Sequence, residues 1–306
     1  MCGLQGSKAA RGKHTHQFRK GLDGKTRISP RSDGAYFKMR PKLMGVINLT
    51  PDSFSDGGLF NDPQAAYAQA QLLHSQGAEI IDIGAESTKP GAERIEVFEE
   101  QRRLLPVLTE LAEVVDLSVD TMNASTAEIA LSMGARFIND VSGGLADSDM
   151  HKVMAGAEAH YIISHWRGHS KEMYREADYQ DIASEVVSEI KKQVDSAVSA
   201  GVDPNRIIVD PGLGFAKDMG QNWELVARLD RLKELEMPIL VGHSRKRFLA
   251  SALDPEFLEM DNQRRDLATA VLTALLMQHS LWGIRVHNVQ ASMDAINLVE
   301  QLGKFD

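Results

Sequence analysis

The amino-acid sequence predicts an α/β protein that folds as a (β/α)8 TIM barrel, a single domain with a basic N-terminal extension. From residue 42 onward, short apolar runs rich in β-branched residues alternate with long amphipathic segments. Short apolar runs that do not alternate strictly with polar residues are typical of parallel strands buried on both faces. Eight such units between residues 42 and 303 match the size and rhythm of a barrel. A doubly wound sheet is the alternative, because alternation alone does not separate the two folds.

The elements follow one another in a regular order. The predicted strands span residues 43–49, 79–83, 117–120, 136–139, 161–164, 206–209, 238–241 and 283–286. The predicted helices span residues 62–76, 123–133, 181–200, 222–235, 266–280 and 291–302, where apolar residues recur at helical spacing. Four glycines stand between a helix and the next strand, where a left-handed residue commonly ends a helix: Gly77, Gly134, Gly201 and Gly283.

A polar side chain follows each predicted strand. These residues are Asn48, Glu86, Asp120, Asn139, Asp140, His165, Asp210, Ser244, Lys246, Arg285 and His287. In a barrel the carboxyl ends of the strands meet at one mouth, which is where active sites lie in this fold. Any one of these residues would serve as a helix cap. A polar group after every strand favours a shared site instead.

Composition and charge narrow the function classes. The 306 residues include 34 basic and 43 acidic side chains, but residues 1–40 hold ten basic and two acidic ones, a net charge of +8. We interpret residues 1–40 as a basic, flexible arm and residues 41–306 as an acidic domain, which argues against a nucleic-acid partner. The single cysteine, Cys2, excludes an intramolecular disulfide and a cysteine-based zinc site. The apolar stretch 267–277 is too short to span a bilayer and residues 1–40 lack a signal-like apolar core, so we expect a cytoplasmic protein without a membrane partner.

Two loops at strand ends are unusually rich in functional side chains. The first runs from Asn48 to a glycine pair at residues 57–58 and is longer than a strand–helix turn requires, as lids often are. Asn48 offers a neutral oxygen to a hard cation, and Asp52 and Asp56 offer carboxylates. The second loop places Thr88 and Lys89 between a strand end and a Pro-Gly turn, where we expect them to face the mouth.

Seven segments resemble the signatures of the dihydropteroate synthase family, in that family's order. They are 48–58 (NLTPDSFSDGG), 82–91 (DIGAESTKPG), 119–121 (VDT), 138–143 (INDVSG), 209–215 (VDPGLGF), 242–248 (GHSRKRF) and 285–287 (RVH). The resemblance covers residues 42–303. It implies a (β/α)8 barrel enzyme of folate biosynthesis, usually a cytosolic homodimer. Such enzymes use Mg²⁺ to join 6-hydroxymethyl-7,8-dihydropterin diphosphate to para-aminobenzoate, releasing diphosphate, and sulfonamides compete for the aminobenzoate place.

The resemblance also implies roles for individual residues. Asp120, Asn139 and Asp210 can offer complementary acceptors and a donor to the edge of a pterin, and Lys246 resembles the family's pterin-contacting lysine. Arg285 and His287 alternate on one strand and would grip the diphosphate, with Asn48 on Mg²⁺. Asp56 is the candidate that stabilises a pterin cation or orients the amine. The aminobenzoate side is assigned to Lys89, Phe215 and Ser244, and Thr88 and Gly242 are included among the substrate-binding residues.

Three positions depart from the family pattern as we understand it. Lys89 stands where relatives carry arginine, Asn288 replaces an aspartate after His287, and Trp166 lies in a segment that is methionine-rich in relatives. These departures leave affinity and sulfonamide sensitivity open. Two alternative functions also remain at this point: a non-catalytic pterin-binding paralogue, and a pterin-dependent methyltransferase domain on the same barrel. The 242–248 segment and the 52–56 loop favour the synthase.

Overall fold

The structure is a computed structural model that describes residues 40–49, 63–86, 94–111, 115–169, 177–253 and 261–305. Within these ranges the strands are β1 Lys42–Asn48, β2 Ile80–Gly84, β3 Asp116–Asp120, β4 Phe137–Asp140, β5 His160–Ser164, β6 Ile207–Asp210, β7 Leu240–Val241 and β8 Gly283–Val286. The helices are α1 Pro63–Ser75, α2 Val97–Leu111, α3 Ala124–Ser132, α4 Met150–Ala155, α5 Ile182–Ser199, α6 Met219–Ala227, α7 Arg247–Leu253, α8 Asn262–Leu276 and α9 Val289–Leu302. Two 3-10 helices cover Pro204–Arg206 and Leu229–Leu235.

The strands form one parallel sheet that closes on itself. Its order is β6-β5-β4-β3-β2-β1-β8-β7, and all neighbouring strands in this order pair in parallel. The two ends of this order meet through a parallel bridge between Val209 and Ile239, where the Val209 N–H donates to the Pro238 carbonyl at 2.9 Å. This closure confirms the predicted barrel, and the doubly wound sheet is wrong.

Side chains along each strand alternate between an inner and an outer layer. The inner apolar cluster consists of Met44, Ile80, Phe137, Ile162, Ile208 and Leu240, with Trp282 against it. Their neighbours in sequence pack outward in a larger cluster with the helices; they include Leu43, Ile81, Ile138, Ile163, Val209 and Val241. Because side chains two residues apart share a face, Asp82 points to the inner side above Ile80. The apolar cluster therefore fills the lower barrel, and polar residues occupy the upper part.

Sequence and structure differ in a few elements. Helices α2, α4 and α7 were not among the predicted helices, and α8 begins at Asn262 rather than at residue 266. Gly77, Gly134 and Gly201 have φ values of 106°, 99° and 104°, as expected of helix-ending glycines. The prediction for Gly283 is wrong, because this residue begins β8 and pairs with Lys42 and Leu240. No helix in the described ranges combines the length and hydropathy needed to cross a membrane.

Candidate active site at the barrel mouth

The strand ends bring the predicted polar residues together at one mouth. Asp120 ends β3 and pairs in register with Asn139 of β4 and Gly84 of β2. A Cβ at Gly84 would lie 3.2 Å from the Asp120 Cβ, which is tighter than ordinary contact. Glycine at this position therefore leaves room for the Asp120 side chain.

Arg285 of β8 is clamped between two buried carboxylates. Its Nε donates to Asp82 Oδ2 at 2.6 Å and its Nη2 donates to Asp120 Oδ2 at 2.8 Å. Burial raises the pKa of Asp120, the Arg285 charge opposes this shift and the Asp82 charge adds to it. The net result is a pKa of about 7. Burial works against the Arg285 charge, but the two carboxylates outweigh it and raise the pKa of Arg285. Arg285 and Asp120 thus act as one electrostatic unit.

Asp82 is a mouth residue that lies outside the predicted site residues, although it begins the segment 82–91. It is fully buried in β2 and accepts from both Arg285 and Asn139, the latter at 3.2 Å from Asn139 Nδ2 to Asp82 Oδ2. Its other oxygen, Oδ1, is buried without a hydrogen-bond partner among the described residues. Buried carboxylate oxygens are normally satisfied. The signal for Asp82 was its charge inside an apolar strand, two residues before the strand end.

Lys246 extends across the mouth from the loop after β7. Its Nζ donates to the Leu213 carbonyl and lies 4.3 Å from the centroid of the Phe215 ring, a cation–π arrangement. Burial lowers the pKa of Lys246 to about 8, although Asp210 favours its charged form. A Cβ at Gly214 would lie 2.8 Å from the Lys246 side chain, so glycine gives the lysine its path. The structure therefore brings Lys246 and Phe215 together.

Asp210 lies at the end of β6, near Lys246. Its Oδ1 accepts from the Gly212 N–H at 2.7 Å, and burial raises its pKa against the opposing charge of Lys246. Gly242, at the end of β7, faces this carboxylate, because a Cβ there would lie 3.4 Å from Asp210 Oδ2. Asp210 and Gly242 thus belong to the same side of the mouth.

His287 links two other predicted site residues. The His287 ring Nδ1 lies 2.9 Å from Ser244 Oγ, and the His287 backbone N–H donates to the same oxygen at 3.1 Å. Asn48 ends β1, and its Nδ2 lies 3.5 Å from His287 Nε2. Because Ser244 Oγ already accepts from the His287 N–H, we assign its O–H as the donor to Nδ1, which places the ring proton on Nε2. Asn48, His287 and Ser244 form a chain across three strand ends.

A buried lysine beneath the mouth was missed. Lys217, 1% exposed, donates to His165 Nδ1 at 2.9 Å and to the carbonyls of Gly212 and Phe215, both at 3.0 Å. Burial lowers the pKa of Lys217 well below its usual value, and burial next to this lysine lowers the pKa of His165 to about 3. His165 Nε2 meets Glu189 Oε2 at 2.9 Å, so His165 is a structural link between Lys217 and α5. In sequence, Lys217 looks like an ordinary loop lysine.

Several predicted residues lie outside the described part of the chain. They are Asp52, Asp56, Thr88, Lys89 and arm residues 1–39. Among the described residues, no three His, Cys, Asp or Glu side chains form a metal-binding group. Asn48, at the end of β1, carries a neutral side-chain oxygen of the kind that a hard cation accepts.

Comparisons with known proteins agree with this geometry. The model of the family described as "Pterin binding enzyme" matches residues 44–287. The chain is 44% identical over 263 residues to a dihydropteroate synthase of Mycobacterium leprae, covering 84% of this chain and 92% of the relative.

Solved structures give the same answer. The chain is similar to Xanthomonas albilineans dihydropteroate synthase with 4-aminobenzoic acid, with a TM-score of 0.78, 35% identity and coverage of 86% of this chain and 93% of the other. It is also similar to the Yersinia pestis enzyme in a sulfonamide drug complex, with a TM-score of 0.79, 34% identity and coverage of 87% and 95%. The chain is therefore an enzyme that belongs to the dihydropteroate synthase family.

Proposed function

We propose that the described mouth condenses 6-hydroxymethyl-7,8-dihydropterin diphosphate with para-aminobenzoate to give 7,8-dihydropteroate and diphosphate. The observation that carries this proposal is the convergence of Asp120, Asn139 and Asp210 with Lys246 and Arg285 on one buried rim. A flat heterocycle edged with N–H groups and ring nitrogens needs such a mixture of acceptors and donors. A diphosphate leaving group needs the cations.

We assign recognition of the pterin to Asp120, Asn139 and Asp210. Asp120 and Asp210 are more than nine-tenths buried, and a buried carboxylate is costly unless it is paired. N–H groups of the pterin would supply the pairing that Asp210 has only in part from Gly212 and Lys246. Lys246 would donate to a ring acceptor, because its ammonium already lies within the same rim.

Diphosphate departure is assigned to the β8 cations. Arg285 uses Nε and Nη2 on carboxylates, and we assign Nη1, which none of the described hydrogen bonds uses, to a phosphate oxygen. His287 would bind a second oxygen, and Asn48 would hold Mg²⁺. When bound, Mg²⁺ would neutralise charge that develops on the leaving diphosphate.

The chemistry that fits these groups is dissociative. The bond between the pterin methylene and the diphosphate oxygen breaks first, the electron pair leaves with the diphosphate, and the aromatic amine then attacks the methylene cation and loses a proton. Positioning and electrostatic stabilisation supply the catalysis without a covalent enzyme intermediate. We keep Asp56 as the proposed group that stabilises the cation or orients the amine.

The aminobenzoate place is proposed beside Phe215 and Ser244. The Phe215 ring, stacked under the Lys246 ammonium, offers a flat apolar wall to the benzene ring. Ser244, with Lys89 and Thr88, would meet the carboxylate. Because the crystallised Xanthomonas and Yersinia relatives are named with 4-aminobenzoic acid and a sulfonamide drug, we propose that sulfonamides compete here as well.

We also propose that the enzyme is a cytoplasmic homodimer that pairs through α8 and α9. Leu267, Val271 and Leu275 repeat every four residues on α8 and are 62%, 53% and 59% exposed. Leu298 and Leu302 continue the apolar surface on α9, which packs beside α8. A second copy of this chain would cover this stripe, whereas scattered exposed leucines need no partner. Sedimentation of the wild type against Val271→Asp tests this, and a monomeric wild type would contradict it.

A single assay tests the catalytic proposal. Magnesium-dependent release of diphosphate and formation of 7,8-dihydropteroate are measured with both substrates and with each one omitted. Asp120→Asn and Lys246→Ala should weaken binding of the pterin substrate, whereas Asp116→Asn, on the exposed start of the same strand as Asp120, is the matched control. Absence of dihydropteroate with both substrates present would contradict the proposal and favour a non-catalytic pterin-binding protein.

A further inference from the structure

Arg245, between Ser244 and Lys246, has a backbone conformation that most side chains avoid. Its φ is 58°, in the left-handed region that disfavours residues other than glycine, asparagine and aspartate. Two contacts from α8 hold it there. The Arg245 N–H donates to Thr269 Oγ1 at 3.1 Å, and the guanidinium Nε and Nη2 donate to the Asp266 carboxylate at 2.6 and 2.8 Å.

The same carboxylate reaches a second loop. Asn288 follows His287 and donates from Nδ2 to Asp266 Oδ2 at 3.2 Å. The Asn288 side-chain oxygen accepts from the Ala291 N–H at 3.0 Å and so caps α9. Asp266 therefore joins the residue after Ser244 to the residue after His287.

This connection lies directly behind the mouth. In front of it, Ser244 Oγ and His287 Nδ1 are 2.9 Å apart, so the loops after β7 and β8 are tied twice. Asp266 is almost fully buried, and both of its oxygens accept hydrogen bonds. A bidentate carboxylate–arginine pair fixes orientation as well as distance, which a single hydrogen bond does not.

We propose that Asp266 is a positioning residue that sets Ser244, Lys246 and His287 relative to one another. The inference rests on the proposed function, because the groups it positions are those assigned to the two substrates. Without the carboxylate, Arg245 loses the contact that holds its left-handed backbone, and Ser244 and Lys246 on either side of it shift. The expected consequence is weaker substrate binding with little change in the chemical step.

The test compares three variants with the wild type. In Asp266→Asn the ion pair is lost. Asp266→Glu keeps the carboxylate on the same position of α8, one methylene farther from the backbone. Asp261→Asn removes a charge from the exposed start of α8 while keeping a helix-capping side chain, and serves as the control.

Steady-state kinetics and direct binding are the readouts. Asp266→Asn should raise KM for pterin diphosphate about tenfold, the change in affinity expected from the loss of one charge-assisted hydrogen bond. The same variant should lower kcat by less than about threefold. Asp266→Glu, which can still pair with the Arg245 guanidinium, should recover most of this loss, and Asp261→Asn should equal the wild type. Calorimetric titration with inorganic diphosphate and Mg²⁺ should show the same ranking of dissociation constants.

Two outcomes would overturn the inference: unchanged KM in Asp266→Asn, or a KM in Asp266→Glu as high as that of Asp266→Asn. A change in unfolding temperature with unchanged KM would mean a merely structural role. If Asp266→Asn does not fold, Asn288→Ser keeps the α9 cap, removes the donor to Asp266 and should raise KM about threefold. If the wild type makes no dihydropteroate, the proposed function fails, while the diphosphate titration still tests Asp266.

Discussion

The buried charges at the mouth predict a bell-shaped pH dependence of kcat/KM for pterin diphosphate. In the proposed complex, Asp120 accepts an N–H from the pterin most strongly when it is ionised, and burial raises its pKa to about 7. Lys246 donates as an ammonium, and burial lowers its pKa to about 8. Activity should therefore fall on both sides of a maximum between about pH 7 and 8.

The size of the effect follows from these values. At pH 5, two units below the Asp120 pKa, about 1% of the carboxyl is ionised, so kcat/KM should fall about 100-fold. One unit above the Lys246 pKa, about a tenth of the ammonium remains, so the alkaline fall should be about tenfold. Asp210, whose pKa burial also raises, adds to the acid limb in the same direction.

The assay measures initial rates from pH 5 to 9 for the wild type, Asp120→Asn and Asp116→Asn. Asp120→Asn should give a lower maximum and a shallower acid limb, because its amide does not titrate and only Asp210 remains. Asp116→Asn should keep the wild-type slope. Since all three share one substrate, ionisation of the substrate cancels in the comparison. A flat wild-type profile between pH 5 and 7, or equal acid slopes in Asp120→Asn and the wild type, would refute the reasoning.

The same shift has a consequence for folding. The folded pKa of Asp120 lies above its usual value, so its contribution to stability is present at low pH and is lost as the pH rises through about 7. Asp120→Asn should therefore remove part of the wild-type loss of stability between pH 5 and 8. Urea unfolding at the two pH values gives this difference directly.

Three further outcomes are expected. Lys217→Met should lower the free energy of unfolding by about 3 kcal/mol in urea titrations, because it leaves His165 and two carbonyls without their buried donor; an unchanged midpoint would contradict this role. Phe215→Ala should raise KM for para-aminobenzoate about tenfold, through lost ring packing and cation–π contact, while KM for the pterin changes less; equal changes in the two would count against the assignment. Chelation with EDTA should abolish product formation and Mg²⁺ should restore it, and Asn48→Ala should raise the Mg²⁺ needed for half-maximal rate about tenfold; full activity in EDTA would disprove the metal assignment.

The barrel was predictable because the same strand–helix pattern of apolar residues repeats along the sequence. Strands buried on both faces, separated by helices, leave a pattern that one misjudged element does not erase. The short helices α4 and α7 have too few turns to show a helical period. Helix α2 contains Pro106, a residue that in sequence argues against a helix interior. Gly283 was misassigned because a glycine before a strand and a glycine that begins one look alike in sequence.

The site was predictable where a polar residue ends a strand, and less so elsewhere. Asp120, Asn139 and Asp210 follow from the convergence of strand ends. Asp82 lies two residues before the end of β2, and only the contact with Arg285 shows its place in the mouth. Lys217 cannot be recognised from sequence, because its burial depends on the turn of the loop that follows β6. Such tertiary contacts bring together residues that no local pattern connects.

The seam of the barrel gives the mouth an unequal stiffness. Between β6 and β7 the ring is held by a bridge at Val209 and Ile239, and β7 is two residues long, whereas β1 and β2 pair over five positions. Native-state opening should begin at this seam, since few backbone bonds need to break there. Asp210 and Ser244 stand on its two sides and are assigned to the pterin and to the aminobenzoate, so the two substrates bound together would bridge the weakest part of the ring. The junction between β6 and β7 would then be rigid while the substrates are bound, and it would be the first part of the barrel to open when they are absent.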